Sequence, residues 1–253
     1  MSAGKEIQVR PLREHAEFDL CADVQDTVWS YEPSARMSQK AFLLATQIGG
    51  QVLGAFEGSK LVGYAMSLPG VRNGHAYLHS HHLAVLPEWR NAGVGRRLKL
   101  AQRDDALARG FALIEWTFDP LEIKNAHLNI AKLGAIARRY RRNFYGITTS
   151  PLQGGLPTDR LVAEWWLKSD RVERVLRGEE SRAEIEAKVD VLAAIYEWKA
   201  MPEQRDAALA LQAANADALE AAFARGLAVL GYRRSEQGDG SFLLGKWDED
   251  FKY

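Results

Sequence analysis

The segment HLAVLPEWRNAGVGRRL, residues 82–98, constrains the fold more than any other part of the chain. It begins with the apolar residues of a strand and ends with the Arg- and Leu-bearing start of a helix. The turn between them, Arg90 to Gly95, contains two glycines and no acidic side chain. The segment therefore predicts a strand that runs directly into a helix through a bare backbone turn.

Such a turn leaves backbone N–H groups exposed at the helix N-terminus. These donors and the helix dipole favour a phosphate or pyrophosphate, and glycine lets the ligand approach the main chain closely. Arg90, Arg96 and Arg97 add positive charge around it. The turn lacks the GK[ST] of a Walker loop and is not GxGxxG. For these residues alone, a plain strand-to-helix turn without a ligand stays open.

The remaining pattern predicts an α/β fold with a mixed sheet, in which strands and helices follow one another. Strands are predicted at 5–12, 51–56, 60–68, 76–86, 111–118, 135–142 and 160–168, and helices at 14–30, 38–48, 94–109 and 122–133.

After residue 170 the sequence predicts a charged connector helix at 171–188, an Ala-rich helix at 203–225, and strands at 227–233 and 241–247. We therefore expect a first domain over 1–169 and a C-terminal extension over 170–253. The extension is too small and polar to be an obvious independent domain, so we expect it to pack on the first.

Charge is balanced overall, with 33 basic and 33 acidic residues, but it is unevenly distributed. The segment 86–146 has 12 Lys and Arg against 6 Asp and Glu, whereas 170–253 has 12 against 17. The basic middle points to an anionic ligand, and the neutral total argues against a nucleic-acid partner.

Other classes of protein fit the sequence poorly. No apolar run approaches the roughly 20 residues that span a bilayer, and the N-terminus lacks the apolar core of a signal peptide. We therefore expect no membrane partner and a cytoplasmic location. The single cysteine, Cys21, excludes an internal disulfide and a zinc-finger cluster.

The turn in its context resembles the acyl-CoA-binding motif of GNAT-family N-acyltransferases. Leu83-Ala84-Val85, Pro87, the turn from Arg90 to Gly95 and the Leu-bearing helix carry the likeness, and the element order fits over residues 6–168. A closer resemblance is to a predicted-acyltransferase subfamily of GNAT proteins. Its signature stretches are SHHLAVLPEWR, WTFDPLEIKNAHLNIAKLGA, YRRNFYG and PTDRL, within residues 80–161.

The resemblance implies that the fourth and fifth strands splay apart and that the pantetheine of acetyl-CoA or another acyl-CoA lies between them. Backbone groups of Leu83 and Val85 would pair with pantetheine amides, as an added strand would. An N–H near Leu83 or Ala84 would polarise the thioester carbonyl. The main chain that would hold the pyrophosphate comprises Asn91, Ala92, Gly93, Val94, Gly95 and Arg96, beside the side chain of Arg90.

Half of the six histidines lie just before this turn. Strand alternation places His79 and His81 on the face of Leu83 and Val85. Histone acetylases of the superfamily carry a glutamate base at the position of His79, and histidine titrates in a range that suits a base. The alternative is that the histidines fill polar positions of a half-buried strand. We expect no metal, because positions i, i+2 and i+3 of one strand do not converge on an ion.

The tyrosine that the resemblance implies as the general acid is missing from this chain. Many GNAT enzymes place a tyrosine four residues before a Gly-Phe pair, where this chain has Ile130 before Gly134. Asn125 and Asn129 are spaced i, i+4 on the predicted helix, so they could hydrogen-bond CoA or its thiol, or simply lie at the helix start and in solvent. Tyr140 is a candidate acid, as is Tyr145.

Two further features point to the acceptor. Asp119 ends a predicted strand and could orient an acceptor ammonium, or could merely start the next loop. In a strand, Arg139 and Arg141 share one face, and Arg138 and Arg142 share the other. One pair could bind a carboxylate of the acyl group or acceptor, as in a succinyl donor or an amino acid, or the run could be a solvated face held by salt bridges.

The sequence thus predicts an N-acyltransferase that moves an acetyl, succinyl or other acyl group from CoA to a small-molecule amine, an amino acid being one candidate. Direct attack in a ternary complex is expected, with no nucleophile on the enzyme. A homodimer stays open. The alternatives are a non-catalytic CoA-binding regulatory module and, less favoured, a nucleic-acid-binding protein that uses the arginine strand.

Overall fold

The computed structural model of the chain describes residues 6–29, 36–146, 153–179 and 183–247. The strands are β1 Ile7–Pro11, β2 Gln51–Glu57, β3 Lys60–Arg72, β4 His75–Val85, β5 Leu113–Phe118, β6 Ile136–Arg141, β7 Arg160–Trp166, β8 Ala187–Val191, β9 Leu227–Arg234 and β10 Gly240–Lys246. The helices are α1 His15–Trp29, α2 Gln39–Gln47, α3 Val94–Ala108, α4 Ile123–Ala126, α5 Asp170–Leu176, α6 Ile195–Ala200 and α7 Arg205–Ala224. None of the helices in the described ranges is both long and apolar enough to cross a bilayer.

The chain divides into two compact units, one ending at Ile114 and one from Glu115 to Lys252. In the first unit the strands follow the order β1-β2-β3-β4, and each neighbouring pair is antiparallel. Helices α1, α2 and α3 supply apolar faces to this sheet. Their core residues include Phe18, Cys21, Val24, Phe42, Ala45, Val94 and Leu98, which pack with Tyr64 and Met66 of β3.

The division falls within β5, and from β5 onward the strand order is β5-β7-β6-β9-β10-β8. Strand β6 pairs antiparallel with β7 and, through Ala137 opposite Val229, with β9. Residues on both sides of the predicted boundary at 169/170 therefore share one set of strands. The division between compact units falls elsewhere, at Ile114 and Glu115, and the assignment of domains stays a prediction.

Most predicted elements are confirmed within a few residues, but the connector helix at 171–188 is wrong in its second half. Helix α5 ends at Leu176, and Gly178 follows with a left-handed φ of 82°. Residues 180–182 lie outside the described residues. Strand β8 then begins at Ala187, and its alternation buries Val189 and Val191.

The helix predicted at 122–133 is present but irregular. It consists of α4 and a π-helical segment, His127–Lys132, before Gly134 ends it with a φ of 80°. A π-helix shifts the angular spacing of side chains, and such segments are frequent at functional sites. The pattern of apolar residues did not reveal this change. The segment SPLQGGLPT, residues 150–158, is rich in Gly and Pro and predicts a loop, and its residues 150–152 lie outside the described part of the chain.

Candidate functional site

The turn between β4 and α3 has the open backbone that the sequence predicted. A single 3-10 turn, Pro87–Trp89, follows β4, and both Asn91 (φ 61°) and Gly93 (φ 77°) adopt left-handed conformations. Gly93 is the N-cap of α3 and has no side chain to accept from the first-turn N–H groups. These N–H groups, whose intrahelical partners do not exist, are therefore available to an anion.

Arginines surround this helix end. Arg90 Nε donates to the carbonyl of Val85 at 3.3 Å, and Arg97 donates to the carbonyl of Ile7 at 3.3 Å. Arg96 is partly exposed in the first turn. Among the described residues, none of the three forms an ion pair with a carboxylate, so their charge adds to that of the helix dipole.

Strand β4 alternates between two environments, as predicted. Leu78, Ser80, His82 and Ala84 are buried, whereas His79, Leu83 and Val85 are half-buried and His81 is exposed. The register with β3 shifts at one point, where Met66 faces His82 and Ser67 faces Ser80. His81 is therefore the extra residue of a β-bulge, a feature that re-aims a side chain and that the sequence pattern did not reveal.

The two histidines at the bulge differ in burial although their rings stack. The ring centroids of His81 and His82 are 4.5 Å apart with an interplanar angle of 16°. His82 Nδ1 lies 2.9 Å from the buried hydroxyl of Tyr64. Burial, with a smaller contribution from His81, lowers the pKa of His82 to about 3. The bond and the pKa make His82 a neutral structural residue.

His81 is the better placed proton acceptor. Partial burial of the His81 ring lowers its pKa, so the imidazole is neutral at neutral pH. The residue as a whole remains exposed to solvent. The ring of His79 lies 6.3 Å away, centroid to centroid. The structure thus places His79 and His81 together on the accessible side of β4, beside Leu83 and Val85.

Asn125 and Asn129 do not share an environment. Asn125 is exposed, and Asn129 is 4% exposed. The change from α4 to the π-helical segment falls between them, so the α-helical i, i+4 rule does not apply. Ile130, which takes the place of the usual tyrosine, is fully buried.

Asp119 is already bound within its own unit. Its Oδ1 accepts from the backbone N–H of Leu121 at 2.8 Å, and its Oδ2 accepts from Lys199 Nζ at 3.1 Å. Lys199 also donates to Glu122 at 3.2 Å. Burial opposes the charge of Lys199, but the two carboxylates outweigh it and raise its pKa. An acceptor ammonium at Asp119 would compete with Lys199 for the carboxylate. Lys199 lies 80 residues further along the chain, so no local sequence pattern indicates this ion pair.

Tyr140 is a poor general acid. Its hydroxyl donates to Asp159 Oδ2 at 2.7 Å. Burial, and then the bond and charge of Asp159, raise its pKa far above the usual range, so loss of its proton is costly. Tyr145 is about half exposed, and its hydroxyl lies 3.0 Å from Thr117 Oγ1.

In the arginine run the register of β6 with β7 shifts between Ala137 and Arg139, so Arg138 is the extra residue of a bulge, while Arg139 and Arg141 keep the alternation that places them on one face. As a result Arg138 and Arg139 both bind Glu164, at 2.5 and 3.3 Å. Arg139 also pairs with the buried Glu115.

The last two arginines of the run have different environments. Arg142 binds Asp217 and Glu220 of α7, each at 2.6 Å. Arg141 is exposed, and within the described ranges it forms no ion pair. Salt bridges thus occupy most of the run, and among the described residues Arg141 remains outside them.

Residues 18–134 match the model of the acetyltransferase (GNAT) family. This matched segment, a little under half of the chain, carries a GNAT acetyltransferase domain. None of the curated proteins compared with the sequence matches it. Within the described residues no group of three or more His, Cys, Asp and Glu side chains could hold a metal ion.

Solved GNAT structures share the fold. The ribosomal-protein-S18-alanine N-acetyltransferase of Escherichia coli is 18% identical, with a TM-score of 0.52 over 65% of this chain and 96% of its own. The yncA structure of Salmonella typhimurium, which contains acetyl-CoA, is 15% identical, with a TM-score of 0.53 over 65% and 95%. An acetyltransferase of Acinetobacter baylyi is 16% identical, with a TM-score of 0.53 over 67% and 97%. At these identities the likeness establishes the GNAT fold.

Proposed function

We propose that the protein is an N-acyltransferase that moves an acetyl or other acyl group from CoA to a small-molecule amine. The observation that carries the proposal is the continuous segment β4–turn–α3. It combines an accessible histidine face, a left-handed glycine at a helix N-cap and unneutralised arginines within twenty-odd residues. The match of residues 18–134 to the GNAT acetyltransferase family supports acyl transfer from CoA in general.

The donor would bind along this segment. The N–H groups from Asn91 to Arg96 would hold the pyrophosphate, and Arg90 would add positive charge. The half-buried residues Leu83 and Val85 would pair through their backbone with the pantetheine amides. Asn125, which is exposed, and Asn129, which is buried, remain candidate CoA contacts.

The chemistry would begin with removal of a proton from the acceptor ammonium. His81 is the favoured acceptor of that proton and His79 the second candidate. The amine nitrogen then attacks the thioester carbonyl, and its electron pair forms the C–N bond while the carbonyl oxygen becomes an oxyanion. A backbone N–H near Leu83 or Ala84 would stabilise that charge. Collapse breaks the C–S bond, the nitrogen loses its second proton to give the neutral amide, and that proton neutralises the departing CoA thiolate.

The acceptor is expected to be small, and Arg141 is the candidate contact for a carboxylate on the acyl group or the acceptor. Arg139 is a weaker candidate because Glu115 and Glu164 already hold it. Asp119 would serve an acceptor ammonium only in competition with Lys199.

One observation favours a second candidate function, a CoA-binding module without catalysis. The usual tyrosine acid is replaced by the buried Ile130, and Tyr140 is held by Asp159. Such a module would bind acyl-CoA through the same turn but release no thiol.

The proposal is tested by titrating free CoA thiol after incubation with acetyl-CoA or succinyl-CoA and a panel of amines and amino acids. Amine-dependent thiol release is expected, reduced about tenfold or more in His81→Gln, since a positioned base contributes at least that much. His75→Gln, a histidine at the start of the same strand, is the matched control and is expected to keep wild-type release. Tight CoA binding without release from any donor would support the module instead.

A further inference from the structure

The bulge that carries His81 is bordered by two serines that face each other across the strands. Ser67 of β3 is the register partner of Ser80 of β4, immediately beside the shift in pairing. Ser67 is fully buried and Ser80 is 4% exposed. The place where β4 departs from regular pairing is therefore lined with hydroxyls on its buried side.

Buried polar side chains of α3 and β2 bind both serines. Lys99 Nζ donates to Ser80 Oγ at 2.7 Å, and Ser80 Oγ donates to Gln102 Oε1 at 3.0 Å. Ser67 Oγ donates to Gln51 Oε1 at 2.8 Å.

Gln51 closes the connection by donating to the Gln102 carbonyl at 2.8 Å and to Asp105 at 2.7 Å. We call the five side chains Ser67, Ser80, Lys99, Gln102 and Gln51 the core network. It joins helix α3, whose N-terminus is the proposed pyrophosphate site, to the bulge.

Packing alone does not account for the core network. All five members are at most 4% exposed. Burying a polar group costs free energy unless it is hydrogen-bonded, and among the described residues Gln102 Nε2 has no acceptor. Apolar side chains would fill this space without that cost. Buried networks whose members are held in one geometry instead specify a local conformation.

We propose that the core network is a positioning device that fixes the β4 bulge and so directs His81 toward the reacting amine. The catalytic role of His81 in this inference rests on the proposed function. The effect of the core network on the geometry of the bulge does not. Lys99 and Ser80 act through the backbone of β4 and are positioning residues. Replacing either side chain is expected to make the backbone of the bulge mobile and to leave the turn at Gly93 unchanged.

The test compares Lys99→Met and Ser80→Ala with Leu12→Ala, a core change in the connection between β1 and α1. The full-length protein is labelled with 15N-histidine, and the His81 signal is assigned by its loss in His81→Gln. The pH titration of that signal, the dissociation constant for acetyl-CoA, and kcat and KM for the amine are measured for each variant. Ser80→Ala, the smaller change, keeps the test valid if Lys99→Met does not fold.

In both network variants the pKa of His81 is expected to rise toward its ordinary value as the ring leaves its stack and regains water. We expect kcat to fall about tenfold with its pH profile displaced, and acetyl-CoA affinity to change by less than about threefold. Leu12→Ala is expected to lower the melting temperature without these changes.

An unchanged His81 titration in variants that melt no differently from Leu12→Ala would overturn the positioning role. A fall in kcat no larger than that of Leu12→Ala would overturn it as well. If the His81 titration shifts as expected but the wild type transfers no acyl group to any amine, the positioning of His81 stands and the proposed function fails.

Discussion

At the scale of single residues, burial decides what adjacent histidines can do. His81 and His82 stack on each other, yet one ring is exposed and the other is held by Tyr64 in the core. Alternation along β4 predicts which face each residue takes, and this part of the site could be predicted from the sequence. The bulge and the hydrogen bond to Tyr64 could not, because both depend on a partner strand whose register the sequence does not show.

His82 is expected to make the protein sensitive to acid. Its pKa is about 3 in the folded state and near 6.5 when unfolded. The unfolded chain therefore binds more protons in this range, and stability falls as the pH falls from about 6.5 toward 3. His82→Gln is expected to lose less stability than the wild type between pH 7 and pH 4.5, measured by urea unfolding.

The matched control for this experiment is His75→Gln, in which an exposed histidine is removed. It is expected to retain the full acid sensitivity of the wild type. Equal losses in His82→Gln and the wild type would show that His82 is not held neutral in the fold.

Lys99 is expected to make the stability of the fold depend on pH in the alkaline range. Burial lowers its pKa to about 7, compared with about 10.4 in an unfolded chain. The unfolded state binds more protons between these values, so the contribution of Lys99 to stability increases as the pH rises from about 7 to 10. Lys99→Met removes this group, and its stability is expected to rise less than that of the wild type over this range in the same unfolding assay. A parallel pH dependence would contradict a lowered pKa.

At the scale of elements, the turn before α3 is the feature most clearly encoded in the sequence. Gly93→Ala would force an alanine to a φ of 77°, at a cost of about 1 kcal/mol, although among the described residues no atom beyond its immediate neighbours in the chain lies within 4 Å of the added methyl group. We expect the turn to relax and acetyl-CoA affinity to fall about fivefold or more, as converted from that cost, measured by calorimetry.

Gly110→Ala offers a matched control at the other end of the same helix. Gly110 has a φ of 83° and equally open space around its Cα. It should lose similar stability and keep wild-type acetyl-CoA affinity. A loss of affinity in both variants would mean that general destabilisation, and not the turn, is responsible.

Elements whose apolar period was clear were predicted well, and those defined by long-range pairing were not. The boundaries of α1, α2, α3, β9 and β10 agree with the sequence to within about two residues. Strand β8 was missed because AKVDV follows a charged helix and is recognisable only by its pairing with β10. The ion pairs of Asp119 and Arg142 were missed for the same reason, since Lys199, Asp217 and Glu220 lie some 75 to 80 residues further along.

At the scale of the whole molecule, the C-terminal residues are part of the second compact unit. Strand β6 lies between β7 and β9, and α7 binds Arg142 at the end of β6. A chain truncated after residue 169 would expose the edge of β6 together with the apolar residues that β9 covers. We expect this truncated chain to be insoluble or to bind a hydrophobic dye. A soluble 1–169 fragment with native circular dichroism would contradict this view.

Binding of an acyl-CoA along β4 and the turn before α3 is tested most directly by a crystal structure of the protein with acetyl-CoA. We predict that pyrophosphate oxygens lie about 3 Å from backbone nitrogens between Asn91 and Arg96, and that the thioester lies on the His81 side of β4. Acetyl-CoA bound away from the turn, or a thioester on the side of Ser80 and His82, would contradict it.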